Sequence, residues 1–264
     1  VLFRSPSTAI IDPKAQLDST VEVGPYAIIG PDVSIGAGTK VGPHVVISGH
    51  TTIGKENNFH AFSSIGGPPQ DKKYGGEVTY LEIGDRNLVR EFCTFNCGTT
   101  QDKGITRIGS DNWFLAYVHI AHDCVVGSHT VFSNNAALAG HVHVGDWVIM
   151  SGFSAVHQFC RIGEHAFVGM NTSLTQDVPP YVLVSGNPAE AHGANLEGLK
   201  RRGFSRDQIH AIRHAYKALY KSGLTLDEAK AALEQQIAEL PADAADSVQR
   251  MRSLLDLSQR GIVR

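Results

Sequence analysis

Three histidines, His122, His141 and His157, stand in six-residue segments that begin at Ile120, Leu138 and Val156, each eighteen residues after the last. If eighteen residues make one turn of a coil, the three side chains lie outward on successive rungs of one face. Imidazole is the side chain whose ordinary pKa suits proton transfer near neutral pH. Asp123, next to His122, is placed to orient its ring or to stabilise the imidazolium. A zinc site is the other chemistry open to this column, because His119, His122, His141 and His157 supply enough nitrogens. Their differing positions within the hexads count against it. One coil earlier, the hexad starting at Phe95 continues the column as Asn96 and Cys97. Isolated solvent-facing histidines are ordinary polar surface, and His44, His129, His165 and His210 are read that way.

The frame holding this column is a hexapeptide repeat. Branched aliphatics or close substitutes recur at every sixth residue from Ile11 to Ile65, resume at Ile83, Val89 and Phe95, and run again from Ile108 to Leu174. A small residue follows four places after each. A period of six fits neither a continuous helix nor a continuous strand, and marks a solenoid whose core forms only by stacking neighbours. Three hexads predict one triangular coil of three short parallel strands, with coils about 4.8 Å apart. Cys93, Cys124 and Cys160, three of the four cysteines, fall on the small inward position and read as apolar filler.

Two interruptions mark the places where a solenoid adds function. Strict phase would put Asp71 and Glu77 inward, so residues 71–82 are expected to project as a loop carrying Lys72 and Lys73. Phe95 to Ile108 spans thirteen residues, one more than two hexads, which predicts a second loop near 101–107. After Pro180 helical signals replace the repeat. Ser205 precedes a face of Ile209, Ile212, Tyr216 and Leu219, Thr225 and Glu228 form a capping box, and Pro241 precedes a last helix near Ala244 to Leu257. The expected division is an all-β parallel β-helix over 6–190 and a small α-helical domain over 191–264 that covers its open end. Val1 to Ser5 fits no hexad and is set aside.

A net charge of −3 makes no global case for nucleic acid or a membrane surface, so any anion site must be local. The chain has no apolar run long enough for an integral membrane segment and no signal segment, which points to the cytoplasm. Trp147, Phe153 and Phe159 at outward positions are more apolar surface than a monomer normally shows.

Five strings carry a family resemblance: His119-Ile120-Ala121-His122-Asp123-Cys124, Ala139-Gly140-His141-Val142, Ala155-Val156-His157-Gln158-Phe159-Cys160, Gln176-Asp177-Val178-Pro179-Pro180-Tyr181, and the run from Glu197 through Arg201, Arg202 and Gly203 to Phe204. With them the chain resembles, over nearly its whole length, the bacterial UDP-N-acetylglucosamine O-acyltransferases that open lipid A biosynthesis. The resemblance implies a left-handed helix, a homotrimer with active sites between subunits, and transfer of a (3R)-3-hydroxyacyl chain from acyl carrier protein to the sugar 3-hydroxyl. It implies His122 as general base, Asp123 as its assistant and the Gly140 N–H as oxyanion donor, with no metal, no cofactor and no covalent enzyme intermediate. It also implies that Gln70, Asp71, Lys73, Asn96, His119, His141, His157, Gln158, Asn195, Glu197, Arg201 and Arg202 hold the nucleotide sugar.

Arg201 and Arg202 also read as cations closing a helix ahead of Gly203; the resemblance favours contact with phosphate or with the acidic carrier protein, alongside Lys200 and Arg206. Three departures qualify the likeness. Asn96 stands where many members have a substrate-contacting histidine, and Pro188 replaces a histidine near the nucleotide end. Met170 stands where long-chain members have glycine, which predicts a shorter acyl chain. A 3-amino UDP-sugar acceptor is the alternative within this chemistry, and a zinc hydratase on a β-helix is a more distant one.

Overall fold

The computed structural model describes residues 4–264. Its first two-thirds is a left-handed triangular coil with three parallel sheets as faces, the exception to the usual right-handed crossover. Face one runs from Ile10–Ile11 to Ser173–Leu174 with nine strands, and face two from Gln16–Leu17 to Arg161–Ile162 with eight. Face three has ten strands, from Glu22–Val23 to Phe167–Val168 and on to Val182–Ser185 and Glu190–Ala194.

Most strands are two residues long because the hexad must turn a corner after each. The large aliphatic points in, and Ile29, Ile47, Phe59, Ile65, Phe95, Ile120 and Leu138 are fully buried in one continuous core. Cys93, Cys124 and Cys160 are buried and unpaired, as filler should be. The residue after the aliphatic lies against the next coil, so a Cβ on Gly36 would come within 2.7 Å of the Gly54 carbonyl oxygen. Glycine there lets the coils close to ladder distance.

On most rungs the residue three places after the aliphatic adopts a positive φ, at non-glycine positions such as Tyr26, His44, Phe62, Phe92 and Tyr117. A bulky residue in that region costs on the order of 1 kcal/mol or more. Stacking offsets it: these five rings form a column on the corner after face three, with neighbouring centroids 4.9 to 5.2 Å apart. His44 therefore belongs to an aromatic stack. The corner after face two carries a second column, in which His129 and His165 flank the Trp147 ring. Burial, with Arg202 adding to it, pulls the pKa of His165 down to about 4. These three histidines are structural rather than plain polar surface; His210 is exposed on its helix, as expected.

The interruptions sit slightly earlier than the repeat suggests. The first loop occupies residues 68–79, because Tyr80–Ile83 is already a strand paired with His50–Ile53 and turns Leu81 inward. The second occupies 97–104, because Ile105–Ile108 pairs with Tyr80–Ile83 and buries Thr106. Asn96 and Cys97 are buried at the entry to this loop, not displayed on the outer column.

The ladder also extends at both ends. Arg4, within the segment set aside, bridges to Glu22, whereas Val1 to Phe3 lie outside the described residues. At the other end Glu190–Ala194 pairs antiparallel with Val182–Ser185, beyond the expected boundary at 190. Four helices follow: α1 (Leu196–Arg201), α2 (Arg206–Tyr220), α3 (Leu226–Glu239) and α4 (Ala242–Leu257). The expected capping box of Thr225 with Glu228 forms on α3, and Ser205 with Gln208 forms a second on α2. Helix α2 buries Ile212, Tyr216 and Leu219, and α4 leans on the coil through Arg250 and Glu164 at 2.8 Å. The chain end returns to the coil, where Ile262 bridges Asp177.

Candidate active site

The corner after face one carries the chemistry. Strand His119–Ile120 ends there, and Asp123 takes the left-handed corner conformation with φ 58°. Its carboxylate is buried and fully engaged. Thr99 donates its N–H to Oδ1 at 2.9 Å and its hydroxyl to Oδ2 at 2.6 Å, and His122 Nδ1 lies 2.9 Å from Oδ2. The Asp123 N–H donates to Thr106 Oγ1 at 2.8 Å. Burial pushes the Asp123 carboxyl pKa up, but the hydrogen bonds from His122 and Thr99 outweigh it and hold it below the usual carboxylate range. An ionised acceptor at Nδ1 assigns the His122 proton to that nitrogen and leaves the Nε2 lone pair free. That is the geometry of an oriented general base.

One rung on, Gly140 lies against that ring. A Cβ there would sit 2.5 Å from His122 Cε1 and 2.7 Å from Nε2, so only glycine fits. His141 stacks on Phe159 with centroids 4.4 Å apart and meets His122 edge-on at 5.1 Å. Its Nε2 is 3.8 Å from Asp123 Oδ2, and its Nδ1 is 3.1 Å from Asp102 Oδ2. His119, outward on face one, holds Thr94 Oγ1 at 2.7 Å through Nδ1. Burial draws its pKa below the ordinary histidine value. A cavity of about 870 Å³ opens beside the corner, lined by Lys73, Lys103, Asp123, His141, His143 and Arg161 among others.

The other expected residues divide by location. Lys73 reaches this cavity from the first loop, where Asp71 Oδ1 accepts the Lys73 N–H at 2.9 Å and shapes the turn; Gln70 is exposed in the same loop. Asn96 is buried one rung before His119, with Nδ2 donating to the Pro68 carbonyl at 3.1 Å and Oδ1 without a partner among the described residues. His157 and Gln158 stand exposed on the rung beyond His141, and His157 Nδ1 faces the Gln158 carbonyl at 3.2 Å.

Asn195, Glu197, Arg201 and Arg202 lie apart from this group, by the corner after face two. Asn195 caps α1 through Gly198 and donates to the His165 carbonyl, so its visible role is structural. Glu197 pairs with Lys200 at 2.8 Å. Arg201 is exposed, whereas Arg202 lies 5.4 Å over the Trp147 ring and Gly203 takes φ 79° as the helix stop. Met170 is 67% exposed, on the third corner.

With this geometry in hand, the comparisons with known proteins are decisive. A family model described as UDP N-acetylglucosamine O-acyltransferase, domain 2, matches residues 177–263, and one for the bacterial transferase hexapeptide (six repeats) matches 105–140. An acyl-[acyl-carrier-protein]–UDP-N-acetylglucosamine O-acyltransferase of Janthinobacterium sp. (strain Marseille) is 62% identical over 97% of this chain and 98% of its own length. The chain belongs to the UDP-N-acetylglucosamine O-acyltransferase family. The same-named protein of Herminiimonas arsenicoxydans is 59% identical over 98% of each chain. The crystal structure of LpxA from Acinetobacter baumannii superposes with TM-score 0.94 at 49% identity, covering 98% of this chain and 99% of that one. The Moraxella catarrhalis enzyme also gives 0.94, at 47% identity over 98% and 99%. The chain is thus an acyltransferase of this family.

Thr99, Thr106, Asp102, His143 and Arg161 went unnoticed in the sequence. The one signal for the first three was the thirteenth residue between Phe95 and Ile108, which marks the loop that brings them in.

Proposed function

We propose that the protein transfers a (3R)-3-hydroxyacyl group from acyl carrier protein to the 3-hydroxyl of UDP-N-acetylglucosamine, the first step of lipid A biosynthesis, in the cytoplasm. The observation that carries the mechanism is His122, held by Asp123 at 2.9 Å with Nε2 free and Gly140 alongside. His122 Nε2 takes the proton of the sugar hydroxyl, and the oxygen attacks the thioester carbonyl. Charge gathers on the carbonyl oxygen, where the Gly140 N–H, which has no acceptor among the described residues, donates to it. Collapse breaks the carbon–sulfur bond, and the departing thiolate recovers the proton from His122.

The acyl tail has a track along face one. Paired in register beyond His119 are Ala137, Ala155 and Ser173, a strip of small side chains leading past the corner that bears Met170. Ile10, Ile28 and Val46 hold the equivalent places on early rungs, so the strip is confined to the catalytic end. On the acceptor side, the unpartnered Oδ1 of Asn96 is a buried acceptor for a substrate donor.

We infer a homotrimer with sites between subunits. The residues assigned to the nucleotide sugar occupy two corners of one chain, separated by face two, and a second copy brings both sets around one ligand. The exposed rings of Tyr26, Phe62, Phe92, Tyr117 and Phe153 line the remaining corner as apolar surface for such packing.

A zinc hydratase is the weaker reading. His122, Asp123 and His141 do bring ligand atoms within 4.8 Å of one another. Asp123 Oδ2, however, already accepts from Thr99 and His122, and Oδ1 from Thr99, so a metal must first break the His122 bond. The deciding assay incubates the protein with UDP-N-acetylglucosamine and a panel of 3-hydroxyacyl carrier proteins. A 3-O-acyl product that persists under chelation and falls by roughly two to four orders of magnitude in His122→Ala is expected. Product formation only with a 3-amino acceptor, or only with added zinc, sinks the reading.

A further inference from the structure

The repeat is interrupted by one extra residue between Phe95 and Ile108, and the loop this creates is closed tightly on itself. The Thr99 carbonyl accepts both the Asp102 N–H at 3.2 Å and the Gly104 N–H at 3.0 Å. A Cβ on Gly98 would come within 2.1 Å of the Ile105 nitrogen, so the base of the loop is pinched to backbone contact. The base residue Thr99 holds Asp123 by both oxygens, and the tip residue Asp102 stands 3.1 Å from His141 Nδ1. One rigid loop therefore fixes the orienting carboxylate of His122 and a second carboxylate on His141.

Stacking leaves something for Asp102 to decide. Phe159 packs within 10° of parallel to the His141 ring, and His122 meets that ring edge-on. Those contacts set the plane of the imidazole. They do not distinguish the ring from its half-turn flip, nor one neutral tautomer from the other, because a flat apolar neighbour meets carbon and nitrogen edges alike. The Asp102 carboxylate does both, since it accepts only from an N–H and lies 3.1 Å from Nδ1, within hydrogen-bond reach, whereas the Asp123 carboxylate stands 3.8 Å from Nε2.

We propose that Asp102 is a positioning residue that selects the flip and the Nδ1–H tautomer of His141, so that Nε2 faces the dyad and the substrate. Its effect on turnover rests on the reading of His141 as a contact to the nucleotide sugar. The Asp102 side chain is 38% exposed, so it contributes one modest hydrogen bond rather than a structural anchor.

The test uses the full-length protein with ¹⁵N-labelled histidine, His141→Gln serving to assign the signal. Long-range proton–nitrogen correlation is expected to find the His141 proton on Nδ1 in the wild type and in Asp102→Asn, whose amide oxygen still accepts. In Asp102→Ala it moves to Nε2, the tautomer that an unconstrained histidine side chain prefers in water. KM for UDP-N-acetylglucosamine rises about fivefold in Asp102→Ala, the scale of one hydrogen bond, while kcat stays within about twofold and Asp102→Asn restores KM. In a His141→Ala background, Asp102→Ala adds nothing. A wild-type proton on Nε2 overturns the proposal, as does an Asp102→Ala effect of equal size without His141. If His141→Ala leaves KM unchanged while the tautomer shifts as described, the substrate reading fails and the positioning role stands.

Discussion

Thr99 holds Asp123 by both oxygens, with its N–H on Oδ1 at 2.9 Å and its hydroxyl on Oδ2 at 2.6 Å, and this asymmetry decides how the dyad tolerates substitution. In Asp123→Asn the amide oxygen must take the Oδ1 place, because a backbone N–H can only donate. The amide NH₂ then faces His122 Nδ1, which has to give up its proton and carry it on Nε2 instead. The base is lost although the fold is kept. We expect kcat to fall by roughly 10²- to 10⁴-fold with little change in melting temperature. Removal of the hydroxyl alone, in Thr99→Val, loosens the pair without inverting the tautomer and should cost less. A Thr99→Val defect as deep as that of Asp123→Asn contradicts this ordering.

Gly140→Ala tests the close approach on the other side of the base. The added methyl meets His122 Cε1 at 2.5 Å, and real Cβ contacts are never that short, so the imidazole must swing away. A misplacement of about 1 Å costs on the order of 100-fold in turnover. The expected result is a kcat defect of that size, with secondary structure and thermal stability close to wild type. Turnover within a few-fold of wild type means that His122 does not act from the position described.

How much of this was legible follows from what period six encodes. The repeat reports which residues face the core, so it places Ile120, Leu138 and Cys124 inward, and eighteen-residue spacing puts His122 and His141 on neighbouring rungs. It is silent about contacts made by residues that leave the repeat. Asp102 meets His141 across thirty-nine positions, from a loop whose shape no hexad specifies. His165 escapes the repeat for a related reason: its position turns it outward, but the segment that leaves α1, later in the chain, packs Arg202 and Phe204 against it. Asn195 and Arg202 were read only as substrate contacts or a helix end because capping and ring stacking depend on where α1 docks. The residues of the family strings were easy to find; the partners that position them were not.

His165 gives a pH dependence of stability. Burial first, and then the Arg202 charge, lower its pKa from 6.5 to about 4 in the folded protein. Between those values the unfolded chain binds a proton that the folded chain refuses. The contribution is therefore fully present above about pH 6.5 and is lost as pH falls toward 4. The shift corresponds to roughly 1–3 kcal/mol after allowance for the partial exposure of the ring. His165→Phe keeps a flat ring between Trp147 and Tyr181 and removes the titration. Denaturant unfolding at pH 7 and pH 4.5 should show a smaller loss for the variant than for the wild type. Equal losses in the two proteins place the acid sensitivity elsewhere.

Met170 makes a prediction about the length of the acyl chain. It follows Val168 on the corner where face three gives way to face one, whereas His122 sits at the opposite edge of face one. The strands between them step from His119–Ile120 to Ser173–Leu174 in three ladder intervals, which is about 14 Å along the axis at the usual spacing. A chain laid over Ala137, Ala155 and Ser173 thus reaches the level of the Met170 thioether, which is exposed and free to fill the end of a groove. Each further methylene then lacks a place to bury, at about 0.8 kcal/mol apiece. Met170→Gly removes the stop. We expect kcat/KM to shift toward longer 3-hydroxyacyl carrier proteins by roughly one order of magnitude for two added carbons, with the shorter donors little affected. Unchanged donor preference in this variant rules out Met170 as the stop and moves the end of the groove to another residue.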